Sequence, residues 1–101
     1  MQDFARGKIY AVINSGLTNQ MYVGSTAYPL LCQRFRMHTY SHRNGLTTTL
    51  APLMAEPGAR IVLIEAFPCA CRSQLRQREQ HWMDLLEKHG VPLLNKIRAH
   101  K

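Results

Sequence analysis

Glu79 is the residue whose position most calls for chemistry. It falls between Leu75 (i−4) and Trp82 (i+3), on the apolar stripe of an amphipathic segment. A carboxylate carried into an apolar face costs several kcal/mol unless a cation, a metal or a proton meets it. Arg34, Arg76 and Arg78 are cations that could pair with it, and a place at the stripe's edge would also relieve the cost. Arg34 and His38 form a second set, an i, i+4 pair on one helix face. A guanidinium there can brace a phosphate through two hydrogen bonds, and an imidazole can move a proton. The same pair on a solvated face would do neither. His38 and His42 have metal-ligand spacing, but no Glu follows His38 as the zinc-protease motif requires. Cys69-Ala-Cys71 lacks the second cysteine pair of a structural zinc site. Tyr10 and Tyr22 complete the set, and each alone reads as a strand aromatic.

These residues must be positioned by a small number of elements. GKIYAVIN (7–14) alternates Ile9, Ala11 and Ile13 against Tyr10 and Val12, which predicts a strand. SGLTN (15–19) is a turn cluster and QMYVG (20–24) a second strand, so the two form a hairpin. If Asn14 faces Gln20, Val12 faces Tyr22 and Tyr10 faces Gly24. Residues 10, 12, 22 and 24 then share a face, with the tyrosines as diagonal neighbours about 7–8 Å apart. A slip of one residue would separate them onto opposite faces. Pro29 suits a helix's first turn and predicts a helix over 29–42, on which Leu31, Phe35, His38 and His42 recur at helical spacing.

Further along, RNGLTTT (43–49) reads as a loop and LAPLMAE (50–56) as a short helix. ARIVLIEAF (59–67), β-branched and nearly all apolar, is expected to be a central strand that Pro68 ends. A helix is predicted over 71–89, stopped by Gly90, with Leu75, Trp82, Leu85 and Leu86 as its stripe. A short C-terminal segment carries Asn95 after an apolar pair.

Composition narrows the partners. The 101 residues, 46% apolar, suit one domain over 1–101. No apolar run nears the ~20 residues of a membrane span, and no signal-peptide stretch opens the chain. No membrane partner is expected. Three cysteines are too few and of the wrong parity for a disulfide framework, which points to a reducing cytoplasmic setting. Thirteen Lys plus Arg against six Asp plus Glu leave a net charge of +7, the footprint of a protein that meets phosphate. No carboxylate lies between Asp3 and Glu56, whereas Arg6, Lys8, Arg34, Arg36 and Arg43 all do. Two-metal catalysis clusters carboxylates around ions ~3.5–4 Å apart. Asp84 lies about 140° around the helix from Glu79, and Glu56 and Glu65 are distant in sequence. A lone carboxylate suits one Mg²⁺ or Mn²⁺, which keeps waters and few protein ligands.

Taken in order, these motifs resemble one family. Lys8-Ile9-Tyr10 followed by Tyr22-Val23-Gly24 is similar to the paired signature that names the GIY-YIG nucleases. Arg34-x-x-x-His38, Arg78-Glu79-x-x-Trp82 and Asn95 follow where that family carries its further motifs. The resemblance covers roughly residues 7–97; its one departure is Lys8, which replaces the first glycine. It implies a small α/β (α+β) domain, a three-stranded antiparallel sheet flanked by helices, that cuts DNA with one divalent ion, Mg²⁺ or Mn²⁺. Glu79 would bind the metal, and Tyr10 would act as general base with His38 taking its proton. Tyr22 would orient water or phosphate, Arg34 would hold the scissile phosphate, and Asn95 would support the site. Tyr10 needs that help, because an unperturbed phenol has a pKa of about 10.

Lys8, Arg34, Arg36, His42, Arg43, Arg72 and Arg76 form the expected nucleic-acid-binding set. A lone domain offers few base-reading side chains, so long-site specificity would need a homodimer or a recognition partner protein. A monomer suffices for single-stranded or structured DNA, towards which the expectation leans. The alternative is a catalytically inactive nucleic-acid-binding module of the same fold, against which intact Tyr10, Arg34 and Glu79 weigh. A purely structural domain would leave the +7 charge unexplained.

Overall fold

Strand β1 (Lys8–Asn14) lies at the centre of a three-stranded antiparallel sheet, between β2 (Tyr22–Thr26) and β3 (Ala59–Ala66). The computed structural model describes residues 4–14, 21–43, 53 and 58–94. Helices α1 (Leu31–Arg43) and α2 (Arg72–Lys88) complete the small α+β fold expected of the sequence. The hairpin turn, the 43–49 loop apart from Arg43, the 50–56 helix apart from Leu53, and Asn95 lie outside the described residues. No helix among the described residues is long and apolar enough to cross a membrane.

The β1–β2 register is the one that parity requires: Val12 pairs with Tyr22, and Tyr10 with Gly24. Alternate residues therefore feed two cores. On one face, Tyr10 and Val12 pack with Leu53, Leu94, Tyr22, Leu31 and Phe35, which seats α1. On the other, Ile9 and Val23 meet Leu75, Met83 and Leu93, with Trp82 and Leu86 packed alongside, which seats α2. Gly90, at φ +86°, follows α2 in the left-handed conformation that lets the chain turn. Residues 92–94 then run back beside β2. Met21 donates to the Pro92 carbonyl at 3.2 Å, and the Leu94 amide donates to the Met21 carbonyl at 2.9 Å.

One expectation is corrected. β3 is an edge strand and β1 the central one. No residue of β3 is fully buried, and Leu63 is 53% exposed, whereas β1 buries Ile9 through Val12 in succession. A β-branched apolar run favours extended backbone wherever it sits, so it could not specify the centre. β3 also carries a bulge. Ile9 pairs with Glu65 but Tyr10 with Leu63, leaving Ile64 extra. Both bulge residues act on the α2 side: Ile64 packs against that core, and Glu65 accepts hydrogen bonds from α2. Arg78 gives two of these, at 2.6 and 2.9 Å, and the Trp82 indole a third at 3.0 Å.

Candidate active site

Tyr10 sits at the centre of β1, and its side chain is fully enclosed on the α1 face. Its strand partner is Gly24, where a Cβ would fall onto the Tyr10 phenol. Only a glycine leaves room for that ring. Helix α1 brings Arg34 and His38 to the phenol from one turn apart. Arg34 Nε donates to the phenolic oxygen at 3.2 Å, and His38 Nε2 lies 2.8 Å from it. A guanidinium has no acceptor, so the oxygen accepts from Arg34, and with His38 Nε2 unprotonated the phenol gives it its own proton. The imidazole then carries its proton on Nδ1.

Burial sets the charge states of this chain. It pushes the Tyr10 phenol above its ordinary range, while the Arg34 charge pulls the other way. Burial also lowers the His38 pKa from 6.5 to about 4, with the Arg34 charge adding to the effect. At neutral pH the phenol is therefore protonated and the imidazole neutral. Tyr22 meets the same imidazole edge-on, with ring centroids 5.9 Å apart. Burial first, and the Glu79 charge second, raise the Tyr22 phenol as well.

Glu79 approaches from α2. Ser25 follows Gly24 on β2, so its side chain points to the α2 side, and its hydroxyl donates to Glu79 Oε1 at 2.5 Å. Burial raises the carboxyl's pKa, opposed by the Ser25 hydrogen bond and by the charges of Arg76 and Arg34. Neither arginine comes within ion-pair distance of Glu79, and Arg78 is paired with Glu65 at 2.6 Å instead. Glu79 thus lies at the edge of the stripe, half-buried and without a salt bridge among the described residues.

Tyr10, Tyr22, Arg34 and Glu79 line one pocket of about 270 Å³ at the β2 edge of the sheet. Arg72 and Arg76 line it too, together with Ser25 and Gln80, which the sequence reading missed. The Ser25 signal was available: odd parity on β2 places it opposite the tyrosines and towards α2. His38 stands behind Tyr10 as its hydrogen-bond partner.

The other basic residues are placed elsewhere. The Lys8 ammonium, expected in the nucleic-acid surface, donates to the backbone carbonyls of Arg6 and Tyr28, both at 2.6 Å. That tie joins the start of β1 to the segment leading into α1. Arg36 borders a separate groove with Cys32, Phe35 and Tyr40. His42 and Arg43 fall in the last turn of α1, with side chains outside the described residues, as is Asn95.

Among the described residues, no three His, Cys, Asp or Glu gather around a common metal position. An ion here would have Glu79 as its carboxylate, and that unneutralised group facing a polar pocket fits a hard divalent cation. Residues 6–92, most of the chain, match the GIY-YIG catalytic domain family. No curated protein and no solved structure matches the chain.

Proposed function

Because the chain belongs to the GIY-YIG family of nucleases, we propose that it is a DNA endonuclease with Tyr10 as its general base and one divalent ion, Mg²⁺ or Mn²⁺, at Glu79. Nucleic-acid hydrolysis follows from the family; the observation that supports the finer mechanism is the hydrogen-bonded chain Arg34–Tyr10–His38 beside the Glu79 pocket.

The attacking water gives its proton to the Tyr10 oxygen while the phenolic proton moves along the existing 2.8 Å bond to His38 Nε2. Coupling the two transfers avoids a free phenolate, which burial would make costly. His38 is neutral at physiological pH and so offers Nε2 to the proton, while the same burial makes the imidazolium costly and short-lived. Arg34 contacts the phenolic oxygen through Nε alone, and its terminal nitrogens are left to hold the scissile phosphate as fixed counter-charge. Ser25 fixes Glu79 by its Oε1 atom. Glu79 would hold the ion, which would supply charge stabilisation to the phosphate and the leaving oxygen. Tyr22 positions water or phosphate; Asn95 lies outside the described residues, and its supporting role is what the family resemblance implies.

The small Glu79 pocket, with cations from both helices, suits one strand, so single-stranded or structured DNA is the proposed substrate. Recognition of a longer site would require a homodimer or a partner protein. The test is incubation of the protein and Glu79→Ala with matched single-stranded, duplex and branched DNA, with Mg²⁺ or Mn²⁺. Wild type should cut only with the ion. Glu79→Ala should stay folded, bind DNA and not cut. Cleavage by Glu79→Ala at the wild-type rate would remove Glu79 from the chemistry. Salt-sensitive DNA binding without cleavage by wild type would mark an inactive binding module.

A further inference from the structure

Three guanidiniums line the Glu79 pocket: Arg34 from α1, and Arg72 and Arg76 from α2. The scissile phosphate carries one charge, and Arg34 already answers it. Arg72 and Arg76 are thus in excess of what a single phosphate needs. They do not serve to neutralise Glu79 either, since neither closes to ion-pair distance. On the same helix Arg76 differs from Arg78, which reaches Glu65 with two hydrogen bonds.

Arg72 and Arg76 are four residues apart, about 6 Å along the α2 axis, and share the face that turns towards Glu79. The Arg72 guanidinium lies over the Phe4 ring, 5.8 Å from its centroid, which steadies the first of the pair. The row leads along α2 from its first turn to the pocket.

We propose that Arg72 and Arg76 form a subsite for the phosphate adjacent to the scissile one. This rests on the nuclease function above and deepens it: the substrate is an internal bond of a continuous strand, with a charged neighbour on one side. An isolated phosphodiester would leave the subsite empty.

The experiment uses an oligodeoxynucleotide whose cleavage position by wild type has been mapped. Two further versions carry one neutral methylphosphonate, on the 5′ or the 3′ side of that bond. One of them should be cut about tenfold more slowly or worse, the scale of a charge-assisted hydrogen bond. Arg76→Ala should lose a similar factor on the all-phosphate strand, and the two losses should not add when combined. Arg34→Ala should add its own loss to that of the neutral linkage. Fully additive losses with Arg76→Ala, or no slowing by either neutral version, would overturn the subsite. If wild type cuts no DNA with either ion, the nuclease function fails instead. The same comparison read as Kd on uncut strands then decides the subsite separately, by the presence or absence of the same non-additivity.

Discussion

Acidification should destabilise this protein through His38, by an amount that follows from where the ring sits. His38 is 6% exposed and accepts the Tyr10 phenol, and burial with the Arg34 charge lowers its pKa from 6.5 to about 4. A folded-state pKa below the unfolded one contributes stability that is complete above pH 6.5 and is lost as the pH falls towards 4. At pH 5 the unfolded chain binds the proton and the folded one resists it. The linkage relation then gives a loss of about 2 kcal/mol between pH 7 and pH 5. For about 100 residues that lowers Tm by roughly 8–16 °C. Two carboxylates bound the window. Glu79, raised by burial, takes up its proton more readily when folded and opposes the loss at the low end. Glu65, held at about 2 by the Arg78 and Trp82 hydrogen bonds, adds its own loss only as the pH falls below 4.5. His38→Gln removes the titration and keeps an acceptor for Tyr10, so the wild-type Tm minus the variant Tm isolates His38. Thermal unfolding followed by circular dichroism at pH 7, 6 and 5 should show that difference shrinking by the stated amount. Parallel curves, or a His38 ring that titrates near 6.5 by NMR, would refute the assignment of a buried neutral acceptor.

Tyr10→Phe keeps the ring and deletes the oxygen that Arg34 and His38 share, so turnover should fall by about 10²-fold or more while the fold persists. Turnover at the wild-type rate would exclude Tyr10 as the base. Gly24→Ala drives a methyl onto the Tyr10 phenol and should cost about 1–3 kcal/mol as the ring is displaced. Its Tm and turnover should therefore fall together, and a variant unchanged in both would contradict the close approach of residue 24 to the ring.

The hairpin register was legible because strand parity is strict: once Asn14 and Gln20 are set opposite, every other pair follows, including Tyr10 with Gly24. Glu79 was legible because a carboxylate on an apolar stripe is costly wherever the helix packs. Its relief was only half legible: parity gives the side of the sheet that Ser25 faces, but not that α2, 54 residues on, brings Glu79 to its hydroxyl. Lys8 has a second role that its charge did not announce: two of its three donors go to the backbone carbonyls of Arg6 and Tyr28. The bulge at Ile64 has no glycine or proline to announce it. The edge position of β3 depends on how both helices pack, which its apolar run does not encode.

Strand order explains why the pocket gathers its residues from both faces of one sheet. Parity puts Tyr10 and Tyr22 on the α1 side and Ser25, with Glu79, on the α2 side. In the middle of a sheet those two sets would be separated by a layer of backbone. β2 is outermost, so a pocket at its edge can touch both, with Arg34 reaching in from one helix and Arg76 from the other. Beside that edge, the tyrosines must stay close enough to share His38, which requires Gly24 to carry no side chain. Lys8 then matters by a different route from its charge. By tying β1 to the Tyr28 carbonyl, three residues before α1 begins, it helps set where Arg34 and His38 meet the phenol.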